Sequence, residues 1–182
     1  MTHAPQTDLP FSTLHTARLS LLPLKESEAE ELFRLYSDPH VVQYSDAFLD
    51  SPEAALACIR QYAERYQRGE ALRWGIHFGM EEKLIGTVGF QSIFLSRAEL
   101  AFELAEAHWN QGLMSEVLAI VVPFGLQTLG FHRIQAWTHV DNAASIHLLL
   151  KQGFAEEGRM ARACYLAHLA EWIDIRVFAV LG

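Results

Sequence analysis

The feature that most narrows the fold is a change of hydrophobic period at Gly112. Before it come three strand-like runs, "LRWGIHFGM" (Leu72–Met80), "LIGTVGFQSIF" (Leu84–Phe94) and "AELAFELA" (Ala98–Ala105). After it an apolar helical run extends from "HWNQGLMSEVL" to about Leu129. The polar link Glu81-Glu82-Lys83 makes the first two runs a hairpin, and the third continues an antiparallel meander. Beyond Leu129 lie a strand, "RIQAWTHV" (Arg133–Val140), a helix, "NAASIHLLLKQ" (Asn142–Gln152), and a last hairpin through Tyr165 to Val180.

Upstream, "ARLSLLPL" (Ala17–Leu24) reads as a first strand. "ESEAEELFRLYSD" (Glu26–Asp38) reads as an amphipathic helix with Ala29, Leu32, Phe33 and Tyr36 on one face, closed by Pro39. In "DSPEAALACIRQYAERYQRGE", Asp50 or Ser51 can cap a helix, Pro52 suits its first turn and Gly69 its exit. The order β-α-α-β-β-β-α-β-α-β-β is mixed α/β, an α+β arrangement on one sheet. No repeat or linker interrupts it, so residues 1–182 are expected to form a single domain, with 1–12 a loose leading segment.

Composition excludes several classes. The chain is 51% hydrophobic and 20% charged, the range of soluble globular proteins. Its apolar stretches, such as "VLAIVVPFGL" (Val117–Leu126), fall short of the roughly 20 residues that span a bilayer, so no membrane partner is expected. "MTHAPQTDLPF" lacks a basic region followed by an apolar one, which points to the cytoplasm. A net charge of -8 argues against nucleic acid, which needs a basic face, and is compatible with a cationic amine. Cys58 and Cys164 read as buried free thiols. His77, His108, His132, His139 and His147 show no ligand spacing, so no metal is expected. Trp74, Phe78, Phe90 and Phe94 read as core and cleft packing.

Gly112 fits a tight strand-to-helix turn, and equally a backbone that lets an anion approach the first helical turn. One glycine does not choose between these. Asn142 directly after a strand is a good helix N-cap, and Gly153 in "KQGF" ends that helix. A glycine-entered helix, a strand, and then "NxxS" with "KxGF" about thirty residues on form a compound pattern rarer than either half.

With "TARLSLLPL", "LIGTVGF", "AELAFEL", "HWNQGLMSEVL", "VDNAASIHLLLKQGFAEEG" and "EWIDIRVFAVL", the chain resembles the GNAT family of acetyl-CoA-dependent N-acetyltransferases, in the RimJ/RimL-like branch. The resemblance implies a central mixed, mostly antiparallel sheet flanked by helices, with two strands splayed to hold coenzyme A. The family's phosphate-binding pattern, Gln/Arg-x-x-Gly-x-Gly/Ala, falls on Trp109–Met114, where Trp109 and Met114 depart from it. Met114 in place of a small residue crowds the last position. The implied cofactor contacts are Gln111, Gly112, Leu113, Met114 and Ser115 at the pyrophosphate, Phe102, Glu103 and Leu104 along the pantetheine arm, and Asn142 and Ser145 on the following helix.

Amine attack on a thioester needs a base, an oxyanion contact and a proton for the thiolate. The resemblance implies Glu99 as base, with Glu103 in reserve. The plain alternative for Glu99 is a strand carboxylate facing solvent. The tyrosine many members carry is Leu149 here, which leaves Ser145 as the acid, or as a serine contacting cofactor or its own helix. A backbone N–H at Leu104 or Ala105 is the implied oxyanion donor. Trp172 and Asp174 match a terminal "WxD" of the branch, for which a structural hydrogen bond is the simpler role. The implied reaction passes an acetyl group directly to a primary amine, either a protein N-terminal α-amine or a small molecule such as an amino acid, polyamine or antibiotic. Met114 and Leu149 leave open a non-catalytic acyl-CoA-binding module. A homodimer is compatible with the chain, whose oligomeric state the sequence leaves open.

Overall fold

The computed structural model describes residues 10–79 and 83–182. Eight strands form one sheet: β1 (Leu14–His15), β2 (Leu19–Pro23), β3 (Leu72–Phe78), β4 (Lys83–Phe94), β5 (Arg97–Leu104), β6 (Arg133–His139), β7 (Ala155–Leu166) and β8 (Glu171–Leu181). Their spatial order is β1-β2-β3-β4-β5-β6-β8-β7. Every neighbouring pair is antiparallel except β5 and β6. That one parallel pair follows from the connection, because a helix between two adjacent strands returns the chain in the same direction.

Five helices flank the sheet: α1 (Ala29–Ser37), α2 (Pro39–Val42), α3 (Pro52–Gln67), α4 (Leu113–Pro123) and α5 (Ala143–Lys151). Strand alternation sends Leu72, Trp74, Ile76, Val88, Phe90 and Leu100 to one face, where Leu113, Val117, Leu118 and Val121 of α4 meet them. On the other face Leu32, Leu35 and Tyr36 of α1 and Ala55 and Ile59 of α3 pack together with Leu84. Ser51 caps α3 by accepting the Ala54 N–H at 3.1 Å, with Pro52 in the first turn as the spacing implied.

Several sequence expectations change. Pro39 does not merely close α1. Asp38 accepts the His40 N–H at 2.9 Å and Pro39 begins the short α2, because a proline costs nothing where the first N–H has no helical partner. The helix expected through Leu129 ends at Pro123 and continues over Phe124–Thr128 with π-type bonds. Residues 11 and 12 are not loose: Phe11 meets Tyr66 and Trp74 edge-on at 5.0 and 5.6 Å, and the Ser12 carbonyl accepts the Trp74 indole N–H. Phe78 and Phe94 are exposed at strand ends, while Trp74 and Phe90 are core. Both cysteines are free and half-buried. Residues 1–9 and the link residues Glu81 and Glu82 lie outside the described residues, whereas Lys83 opens β4. No helix among the described residues is long and apolar enough to cross a membrane.

Candidate active site

The parallel pair β5–β6 is joined over three residues only, Arg97↔Arg133, Ala98↔Ile134 and Glu99↔Gln135. β5 then runs on to Leu104 and β6 to His139 without pairing, so the two strands part into a V. The Ala105 N–H donates to the Ile85 carbonyl at 2.8 Å. By the alternation of an antiparallel ladder, the N–H and C=O groups of Leu104 and Phe102 therefore turn away from β4 and into this opening. Trp109 takes up the Leu104 carbonyl through its indole N–H at 2.7 Å, a latch that the departure from the family pattern did not reveal. Of the two N–H groups expected at the oxyanion, the Ala105 group is thus occupied by Ile85. The Leu104 N–H faces the opening.

At the wide end of the V, Gly112 begins α4 with φ +73° and ψ 5°, a left-handed conformation that L side chains resist. No side chain caps this terminus, and the first helical bond is Glu116 N–H to the Gly112 carbonyl at 3.1 Å. The N–H groups of Leu113, Met114 and Ser115 lie ahead of that bond, where the helix supplies no acceptor and its dipole favours an anion. A Cβ on Gly112 would meet only Arg18 Nη2, at 3.9 Å. The backbone is therefore approachable on this side and fits a pyrophosphate.

Met114 does not crowd the turn: its side chain is 8% exposed and lies with buried Leu113 in the core, so only its backbone reaches the loop. Ser115 is tied to the end of α5, where Gln152 donates to its carbonyl at 3.2 Å and its hydroxyl at 3.4 Å. Arg18, which sequence reasoning missed, braces the loop. Its guanidinium donates to the Gln111 carbonyl at 3.1 Å and pairs with Glu116 at 2.7 Å, and its own N–H donates to Glu116 Oε1 at 3.0 Å.

The two candidate carboxylates share a sheet face but differ in their partners. Glu103 pairs with the buried Arg73 guanidinium and accepts from Thr87 and Tyr36 at 2.9 and 3.1 Å. Burial works against the charge on Arg73, but the Glu103 carboxylate and the Tyr36 and Tyr62 hydroxyls prevail and raise its pKa. Burial likewise lifts the Tyr36 phenol well above its ordinary value. Glu103 is thus committed to a buried ion pair and two hydroxyl donors on the β3–β4 side. Glu99 instead accepts from three neutral donors: Gln91 Nε2 at 2.7 Å, Trp137 Nε1 at 3.2 Å and Gln135 Nε2 at 3.4 Å. It is oriented but not neutralised, and it stands where β5 and β6 begin to part.

Asn142 caps α5, accepting the Ser145 N–H at 3.1 Å. The Ser145 hydroxyl is half-buried and has no hydrogen-bond partner among the described residues, so it does not bond back to its own helix. Leu149 is core at 1% exposed. Asp174 is structural, binding Arg159 at 2.6 Å and the Arg162 N–H at 2.8 Å, which hold its carboxyl below the usual range. Asp38, His40 and Glu106 bring ligand atoms within 4.8 Å of one another, a grouping the histidine spacing did not suggest. His40 and Glu106 are exposed and Asp38 is half-buried, and His40 Nδ1 is bonded to Glu106 at 2.8 Å.

A V between strands that ends at an uncapped helix N-terminus can receive an extended ligand carrying a phosphate group. Residues 18–155 match the Acetyltransferase (GNAT) domain, and the chain belongs to that family. It is an acetyl-CoA-dependent N-acetyltransferase. It is 38% identical over 158 residues to the uncharacterized N-acetyltransferase YoaA of Bacillus subtilis (strain 168), covering 85% of this chain and 89% of that one. With the ribosomal-protein-serine acetyltransferase of Escherichia coli (strain K12) it shares 30% over 134 residues, 72% of this chain and 73% of the other. The crystal structure of the acetyltransferase that modifies the N-terminal serine of ribosomal protein L7/L12 in Salmonella typhimurium superimposes with a TM-score of 0.80. The two are 25% identical over 95% of this chain and 98% of that one.

Proposed function

We propose that this chain acetylates the α-amine of a protein N-terminus. The observation that carries this reading is Glu99 at the fork of β5 and β6, its carboxylate fixed by three neutral donors and balanced by no cation among the described residues. An α-amine, with a pKa of about 7.7–8.0, loses its proton to such a group directly or through water more readily than a lysine amine near 10.4. The names of the Escherichia coli and Salmonella relatives support a protein acceptor.

Acetyl-CoA supplies an activated carbonyl when bound. The N–H groups at Gly112–Ser115 hold its pyrophosphate and the open edge of Phe102 and Leu104 holds its arm. The Leu104 N–H meets the developing oxyanion. The amine nitrogen forms its bond to the carbonyl carbon as the carbon–sulfur bond breaks. Glu99 receives the amine proton, and the Ser145 hydroxyl donates to the departing thiolate. Met114 and Leu149, which kept a non-catalytic module open, are accounted for by core packing.

The test is a panel of peptides differing in N-terminal residue, run beside polyamines and aminoglycosides and scored for CoA release, with the acetyl position located by mass spectrometry. Acetyl on the α-nitrogen of peptides is the expected result. Turnover of small amines with none on peptides would refute the reading.

A further inference from the structure

The segment between α2 and α3 is docked by two ring contacts onto the end of β6 and the β7–β8 turn. Tyr44 stacks on His139 of β6 with centroids 4.8 Å apart and planes 21° apart. Phe48 stacks on His168, in the turn between β7 and β8, at 5.2 Å and 18°. Asp46 lies between these two anchors in the chain. It is therefore carried over the sheet face that presents Glu99, Gln135, Trp137 and His139, residues that share that face by the register Glu99↔Gln135 and the period of two along β6.

The electrostatics agree with that placement. Asp46 is exposed, and the partial desolvation it meets foremost raises its carboxyl above the usual range. Its own backbone N–H opposes the rise, the Glu103 and Glu99 charges add to it, and Arg73 lowers it. The Cys164 thiol is raised by burial and then by the Asp46 and Glu99 charges, so it lies within reach of both carboxylates. The cation whose field reaches Asp46 is Arg73, which is sealed against Glu103, Thr87 and Tyr36. The donors around Glu99 already serve its carboxylate.

We infer that Asp46 and Glu99 form the two walls of an acceptor subsite that takes an ammonium group with no carboxylate beside it, accepting peptide N-termini and amino-acid amides and turning away free α-amino acids. This deepens the N-terminal reading above and rests on it. An amide or peptide bond next to the amine is neutral and needs no counter-ion. A free α-carboxylate would be held near two like charges without a guanidinium to receive it. At a separation of about 5 Å and an effective dielectric near 20, one such repulsion disfavours the acid by on the order of 10²-fold.

The experiment compares kcat/KM for serinamide, serine, ethanolamine and serine-starting peptides by CoA release. Serinamide and the peptides are expected to exceed serine about 100-fold. Asp46→Asn should narrow that ratio at least tenfold without changing KM for acetyl-CoA. Equal use of serine and serinamide by the wild-type protein overturns the inference whatever the variant does, as does full discrimination by a folded Asp46→Asn. Serine used as well as the peptides overturns this inference while leaving N-terminal acetylation standing. Ethanolamine used in preference to serine, with no peptide turned over, overturns the N-terminal reading and with it this inference. Inactivity on all four overturns both.

Discussion

Replacing Gly112 by alanine separates backbone strain from cofactor binding when it is paired with Gly130→Ala. Both glycines have left-handed angles, φ +73° and +70°, and an added Cβ meets only Arg18 Nη2 at 3.9 Å at the first and nothing within 4 Å at the second. Holding an alanine in that region costs about 1–2 kcal/mol in either place. In a chain of 182 residues this lowers Tm by about 2–8 °C. The stability losses should therefore match. Binding should not, because relaxing Gly112 from left-handed angles swings the N–H groups of the first α4 turn away from the pyrophosphate. Each charge-assisted bond lost contributes about 1.5–3 kcal/mol, or roughly 10- to 150-fold in Kd. Calorimetric titration of CoA should show at least a tenfold weakening in Gly112→Ala and none in Gly130→Ala. Two variants with the same Tm loss and the same CoA affinity would show that the Gly112 turn only connects strand to helix.

Glu99→Gln keeps the hydrogen-bonding shape but removes the proton acceptor, so turnover should fall about 10²-fold or more at neutral pH and recover partly at high pH; a pH–rate profile superimposable on the wild type would return the proton to water. Ser145→Ala should lower kcat with little change in Kd for CoA, and weakened binding at full turnover would make Ser145 a cofactor contact instead. At the cleft mouth, the hydrogen bond and charge of Glu106 raise the pKa of exposed His40 above 6.5, against slight desolvation and with help from Asp38. A raised folded pKa means that this tie between α2 and the exit of β5 is fully present below about 6.5 and is lost as pH climbs through the raised value. Amide exchange over residues 39–49, corrected for intrinsic rates, should therefore accelerate above neutrality in the wild type and show no such step in His40→Gln. An identical step in the variant would discard the tie.

The sequence carries what depends on neighbours along the chain. The glycine turn, the caps at Ser51, one of the two residues offered, and at Asn142, and the strand runs β3 to β5 are local, and each is found where its spacing placed it. The parting of β5 and β6 came only through resemblance, since nothing in "RAELAFEL" or "RIQAWTH" says that pairing ends after three residues. The resemblance likewise offered Glu99 as base with Glu103 in reserve, without the partners that distinguish them. Their difference is made by Arg73, 30 positions from Glu103, and by Trp137, 38 positions from Glu99. Arg18 and Glu116, which brace the phosphate turn, are 98 apart. The same limit explains Met114: a motif compares side chains position by position, whereas the start of a helix presents its backbone outward while turning two successive side chains into the core. The charge of a strand carboxylate is thus legible in one sequence, but its partners are set by which distant residues arrive beside it, a cation for Glu103 and three neutral donors for Glu99.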